Sequence, residues 1–139
     1  MSEAPTPLAF GANCGVGASD ILRTVLGFVA QGTEMPLISK GNAGIPKYVD
    51  GHIHYDGTPE LMAEYAVMAR DSGAKIIGGC CGTMPDHLRM MRAALDERPR
   101  GERPTLEQIT AALGGFSSAS DGTGDDGPKA PERRRRRRA

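Results

Sequence analysis

The chain has 139 residues, with 17 basic and 17 acidic side chains, so its formal charge is zero. That balance hides an asymmetry: without the six arginines at 133–138, the rest carries 11 basic and 17 acidic residues, a net of −6. No apolar run approaches the ~20 residues needed to span a bilayer, and the opening Met-Ser-Glu-Ala-Pro lacks the basic start and apolar stretch of a secretory signal. An odd number of cysteines, two of them adjacent, does not suit the disulfide framework of a small secreted domain, so the expected location is cytoplasmic.

The part able to build a core runs roughly from residue 8 to 113. Residues 7–10 (Pro-Leu-Ala-Phe) are a short strand ending at Gly11. From Ser19 or Asp20, either able to cap a helix, Ile21, Leu22, Val25, Leu26, Phe28 and Val29 recur with helical spacing. Residues 35–40 read as a second strand, followed by the Gly-rich stretch 41–46 and a longer polar loop carrying His52 and His54. Thr58 caps the next helix, with Pro59 at its first position, Leu61, Tyr65, Met68 and Ala69 on one face, and Gly73 as its stop. Residues 74–78 are the third strand and 83–95 the third helix, with Thr83 and Asp86 as a variant capping box. Thr105 and Gln108 form a capping box for a short helix with Leu106, Ile109 and Leu113 on one side, ended by Gly114 and Gly115. Residues 116–139 cannot bury enough apolar surface to offset ordering and are expected to be disordered. The arginine run could attract nucleic acid or an anionic surface. No aromatic residue is interleaved with it and no basic fold stands behind it, so neither a nucleic-acid partner nor a membrane is expected.

Three strand-loop-helix units in succession predict an α/β fold with parallel strands covered by helices. In such folds chemistry gathers at the C-terminal ends of the strands. Cys14, Asn42, Cys80 and Cys81 all fall there. Cys14 lies 66 residues before Cys80, so only a fold that returns successive strand ends to one rim can unite the three sulfurs.

Thiolate sulfur is a strong zinc ligand, and catalytic zinc sites use about three protein ligands with one position left open. Cys14, Cys80 and Cys81 match that count. Neighbours on a regular strand point to opposite faces, so Cys80 and Cys81 can share an ion only if the chain turns between them, a freedom that Gly78, Gly79 and Gly82 supply. Three thiolates leave the Zn²⁺ site with one net negative charge, suited to a soft incoming thiol more than to water activation.

The segments Gly-Ala-Asn-Cys at 11–14 and Gly-Gly-Cys-Cys-Gly-Thr at 78–83, with Gly-Asn-Ala-Gly at 41–44 between them, closely resemble the C-terminal part of the zinc-dependent homocysteine S-methyltransferases. That family includes betaine-homocysteine methyltransferase, S-methylmethionine-dependent enzymes and the homocysteine domain of cobalamin-dependent methionine synthase. The resemblance covers about residues 8–95. It implies a (β/α)₈ TIM barrel in which Cys14 ends the sixth strand and Cys80 and Cys81 the eighth, all three binding Zn²⁺. It also implies homocysteine as the methyl acceptor, betaine, S-methylmethionine or methyltetrahydrofolate as donor, and methionine as product. The helix at Thr105 and the arginine-rich end are similar to bacterial betaine-type members.

A full barrel takes about 250 residues, and three units are present here. The chain is therefore expected to divide into a partial homocysteine-binding barrel domain (1–95), a C-terminal extension with a short helix (96–115) and a disordered Arg-rich tail (116–139). Activity is expected only with an N-terminal half-barrel supplied, whether the chain is a fragment, half of a split enzyme or a truncated frame. The alternative is a non-enzymatic zinc module with a structural Cys₃His site using His52, His54 or His87. Asn13, Asn42 and Thr83 are candidates to line the substrate site, the helix N-terminus after Gly82 offering amides to the amino-acid carboxylate. Turn and cap chemistry is the competing explanation for Asn42 and Thr83. Tyr48 and Tyr55 are candidate donor-site aromatics.

Overall fold

A computed structural model describes residues 4–119. The elements are β1 (Phe10–Gly17), α1 (Ala18–Ala30), β2 (Leu37–Asn42), β3 (Pro46–Val49), β4 (His52–Tyr55), α2 (Pro59–Ser72), β5 (Ala74–Gly79), α3 (Pro85–Glu97) and α4 (Leu106–Leu113). The fold is mixed α/β. Strands β1, β2 and β5 form a parallel sheet in that order, so each repeating strand lies beside the one before it.

Period-two burial along β2 sets the two faces of this sheet. Leu37, Ser39 and Gly41 are buried, whereas Lys40 is exposed. The buried face meets α1 and α2, where Leu22, Val25, Met62, Tyr65 and Ala66 form one core with Leu37 and Ala74. Ile109 and Leu113 close that core from α4. Fully burying a side chain such as Leu22 is worth about 1.5–3 kcal/mol, so this face carries the stability of the sheet. On the opposite face Ile76 is 48% exposed, and Gly11, Asn13 and Lys40 are open as well.

Local cap chemistry is as expected in two places. Thr58 Oγ1 accepts from the Leu61 amide, with Pro59 opening α2 and Gly73 closing it in the left-handed region. Thr105 and Gln108 form a reciprocal capping box on α4. Elsewhere the structure corrects the expected boundaries. The first strand does not end at Gly11: it begins at Phe10 and runs to Gly17, because its backbone pairs with β2 from Phe10↔Leu37 to Asn13↔Lys40. Gly11 makes that pairing possible: a Cβ there would sit 1.9 Å from the Ile38 carbonyl oxygen. Helix α1 follows at Ala18 with no intervening loop, and its N-cap, Gly17, provides no side-chain cap. Asp20, offered above as a cap, instead accepts from the Ser117 amide through both carboxylate oxygens, each at 3.1 Å.

The stretch holding His52 and His54 is a hairpin rather than a loop. Strands β3 and β4 pair antiparallel with Tyr48 opposite Ile53, across a turn in which Asp50 and Gly51 both have positive φ. Asp-Gly is the favoured pair for such a two-residue turn. Helix α3 starts at Pro85, so its N-cap is Met84 and not Thr83. The segment expected to be disordered begins at Phe116. Its first residues lie against α1: Arg23 donates to the Ser118 carbonyl at 3.1 Å and its guanidinium sits 4.2 Å from the centre of the Phe116 ring. The remainder of that segment, including the arginine run, lies outside the described residues. Among the described residues no helix is long and apolar enough to cross a membrane.

Candidate metal centre

The C-terminal ends of β1, β2 and β5 meet on one rim, and each contributes a distinct piece of backbone to it. On β1 the register advances from Asn13↔Lys40 to Gly17↔Asn42, four residues against two, so the strand bulges between them. Cys14 occupies the bulge with φ of 60°, followed by Gly15 at 78°. A cysteine in the left-handed region is strained, and such strain persists only where surrounding pairing enforces it. The bulge turns the Cys14 side chain toward the end of β5, across β2.

At the end of β5 the chain turns. The Cys80 amide donates to the Gly41 carbonyl at 2.9 Å, and the Thr83 amide donates back to the Cys80 carbonyl at 3.2 Å. Gly82 sits within this turn at φ of 76°, the positive value that a turn of this kind demands at its third residue. Cys80 and Cys81 are thereby freed from the opposed directions that a straight strand would impose.

Strand β2 holds the rim from behind. Asn42, buried, accepts the Cys81 amide through Oδ1 at 3.1 Å, and the next residue, Ala43, donates its amide to the Cys81 carbonyl at 2.9 Å. One step inward, the fully buried Tyr65 hydroxyl accepts from the Gly41 amide at 2.9 Å and bonds the Ser39 hydroxyl at 2.7 Å. Burial pushes the Tyr65 phenol up to about 12, with Ser39 and Gly41 opposing. Tyr65 thus fixes Gly41, and Gly41 fixes Cys80. In the sequence Tyr65 is one residue of an apolar helix face, and only its hydroxyl, which needs a partner when buried, signals a role beyond packing.

The outcome is a cluster: the Sγ atoms of Cys14, Cys80 and Cys81 all lie within 4.8 Å of one another. Cys14 and Cys81 approach to 3.4 Å. Three sulfurs on one tetrahedral ion at about 2.3 Å stand about 3.8 Å apart, so the observed spacing fits a metal without rearrangement of the backbone. Cys14 and Cys80 are half-buried and Cys81 is exposed, which leaves the cluster open on one side. The Cys14 thiol is drawn below its ordinary value, chiefly by its hydrogen bond with Cys81 and then by that with Cys80. Cys81 is pushed up, chiefly by the same bond to Cys14. The two opposed shifts have one cause, the close approach of the two sulfurs.

The other candidates divide. Asn42 belongs to the rim through its bond to the Cys81 amide. Thr83 follows the turn; its Oγ1 is buried with no hydrogen-bond partner among the described residues, packed where a Gly79 Cβ would come within 2.1 Å. Asn13 is exposed on the open sheet face, directly before Cys14. The histidines stay apart from the sulfurs. His87 accepts the Met84 amide on Nδ1 at 3.0 Å, so Nε2 carries the proton and donates to the Gly57 carbonyl at 2.7 Å. His52 and His54 lie exposed on β4. Among the described residues the group able to hold a metal consists of the three cysteines and no histidine.

Comparison with known proteins agrees with these motifs. Residues 1–95 match the homocysteine S-methyltransferase family. The chain is also similar to methionine synthase of Mycobacterium leprae (strain TN), 33% identical over 114 residues that cover 74% of this chain and 9% of the relative. The matched segment therefore spans less than a tenth of that relative's length. With the match extending over both cysteine motifs and the Asn42 segment between them, the chain belongs to the homocysteine S-methyltransferase family.

Proposed function

We propose that Cys14, Cys80 and Cys81 hold one zinc ion, and that the chain serves methyl transfer to the thiol of homocysteine, giving methionine. The observation that carries this is the clustering of three sulfurs from two distant strand ends on one rim, in a chain of this family. Bound there, zinc would lower the pKa of an incoming thiol and keep its sulfur nucleophilic. In the transfer itself the homocysteine sulfur forms a bond to the methyl carbon. The bond from that carbon to the donor heteroatom breaks, its electron pair leaving with the donor. The relative's name speaks for methionine as product and gives betaine no particular weight, so the donor is taken as an activated methyl group: betaine, S-methylmethionine or methyltetrahydrofolate.

The chain's own residues supply placement. Asn42 and Tyr65 hold the backbone under the sulfurs. Asn13, Asn42 and Thr83 are proposed to line the substrate site: Asn13 opens onto the uncovered sheet face, and the unpartnered Thr83 Oγ1 lies beside the cysteine turn. A sequential parallel sheet with helices on one face and a bare opposite face is what three consecutive units of a (β/α)₈ wall present. On that reading β1, β2 and β5 are the sixth to eighth strands, and an N-terminal half-barrel polypeptide or segment supplies the rest. Free thiols of this kind need a reducing compartment, which supports a cytoplasmic location. A structural Cys₃His site is not supported: both His87 nitrogens are engaged by backbone groups.

The test is a methionine-forming assay of the 139-residue chain, alone and with an N-terminal half-barrel polypeptide added, alongside metal analysis. Activity only in the supplemented sample, lost with Cys14→Ser, is the expected result. Methionine formation that survives Cys14→Ser would overturn the reading.

A further inference from the structure

The hairpin β3–β4 is exposed along almost its whole length, with Tyr48 at 77% and Ile53 at 62%. Tyr55, its last residue, is the exception. The Gly82 Cα lies so close beneath the tyrosine that a Cβ on it would meet Tyr55 Cγ at 2.3 Å and Tyr55 Cβ at 2.6 Å. Gly82 follows Cys81 directly, so the ring lies over the turn after β5 that carries Cys80 and Cys81.

This placement is fixed from several sides. The Cys81 carbonyl accepts from the Ala43 amide, and the Ala43 carbonyl accepts from the Gly57 amide at 2.8 Å. The Gly57 carbonyl in turn accepts from His87 Nε2 at 2.7 Å. Gly57 is two residues beyond Tyr55, so one chain of hydrogen bonds joins the cysteine turn, the base of the hairpin and the first turn of α3. Lys47 and Asp56 add an ion pair at 2.6 Å beside it.

We propose that Tyr55 is a positioning residue of the cysteine centre: its ring packs against Gly82 and roofs the Cys80–Thr83 turn. The roof stands whether or not the three cysteines hold a metal. Outer groups of this kind orient the ligands of a metal site. The ring covers the turn on one side and leaves the exposed Cys81 as the approach for a thiol.

Two variants of the full chain isolate the ring. In metal-free reduced protein, maleimide labelling is followed residue by residue by mass spectrometry, comparing Tyr55→Ala with Tyr55→Phe. Both lack the hydroxyl, so the comparison reads the ring alone. Cys81 is expected to react several-fold faster in Tyr55→Ala while Cys14 keeps its rate. Equal Cys81 rates in the two variants, or an equal rise at Cys14, overturn the roof. The comparison needs no metal, so its outcome stands apart from that of the zinc reading.

Discussion

The rim of the parallel sheet and the β3–β4 hairpin are neighbours in sequence and opposites in construction. At the rim, β2 is flanked on both sides, its backbone engaged by β1, by Cys80 and by the Tyr65 hydroxyl, and its inner face is buried. The hairpin pairs only with itself and is exposed in all four residues of β3. Two-stranded hairpins are marginal alone, and this one is pinned at its base through Gly57, Asp56 and Tyr55. The contrast teaches where precision is stored. Sulfur positions are set by strands that cannot shift without breaking backbone bonds, while the roof over them is attached through a few contacts and can be altered without loss of the sheet.

That contrast predicts a steep gradient of mutational effects. The largest is expected at Gly11→Ala, where the added Cβ collides with the Ile38 carbonyl and the β1–β2 pairing must open. A loss of about 3 kcal/mol in urea unfolding is predicted; a loss below about 1 kcal/mol would show that β1 is not held as described. Next comes Tyr65→Phe, which leaves the Gly41 amide and Ser39 hydroxyl without their partner, at a cost of about 1–3 kcal/mol. Its pH dependence gives an independent check. The folded phenol titrates near 12 against an ordinary 10, so the unfolded state loses its proton first as pH rises. Stability from this group is intact below pH 10 and falls between 10 and 12, by up to about 3 kcal/mol. Tyr65→Phe should remove that portion of the alkaline decline; an unchanged alkaline profile would contradict the burial of the hydroxyl. The smallest effect is expected at Lys47→Ala in the hairpin. Its partner Asp56 is held below the usual carboxylate value chiefly by the hydrogen bond from Lys47, yet both side chains are more than half exposed. The expected change is below about 0.5 kcal/mol, and a loss comparable to that at Gly11 would erase the distinction between the two regions.

Sequence alone revealed the features whose physics is local. Thr58 with Pro59, Gly73, and Thr105 with Gln108 act within one helical turn, and each behaves as its residue type dictates. The meeting of Cys14 with Cys80 and Cys81 was legible because a run of strand-loop-helix units has one way to return its strand ends. Strand lengths were not legible. Gly11, Asn13 and Gly15 are poor strand formers by propensity, and only pairing with β2 across a distant stretch of chain makes them strand. The hairpin carries Asp50-Gly51 between its strands, a turn signal that the polar composition around it masks. Threonine caps well, which favours Thr83, yet Pro85 prefers the first helical position and so moves the cap to Met84. The docking of residues 115–118 on Ser19, Asp20 and Arg23 depends on contacts made nearly a hundred residues apart, which no local pattern announces.

The central claim is that the three cysteines form one metal centre. Zinc content and zinc-edge X-ray absorption of freshly reduced protein test it together. About one zinc per chain with three sulfurs at about 2.3 Å is the predicted result, falling to background with Cys14→Ser and Cys80→Ser. Zinc below about 0.3 per chain, or a first shell dominated by nitrogen or oxygen, would contradict it.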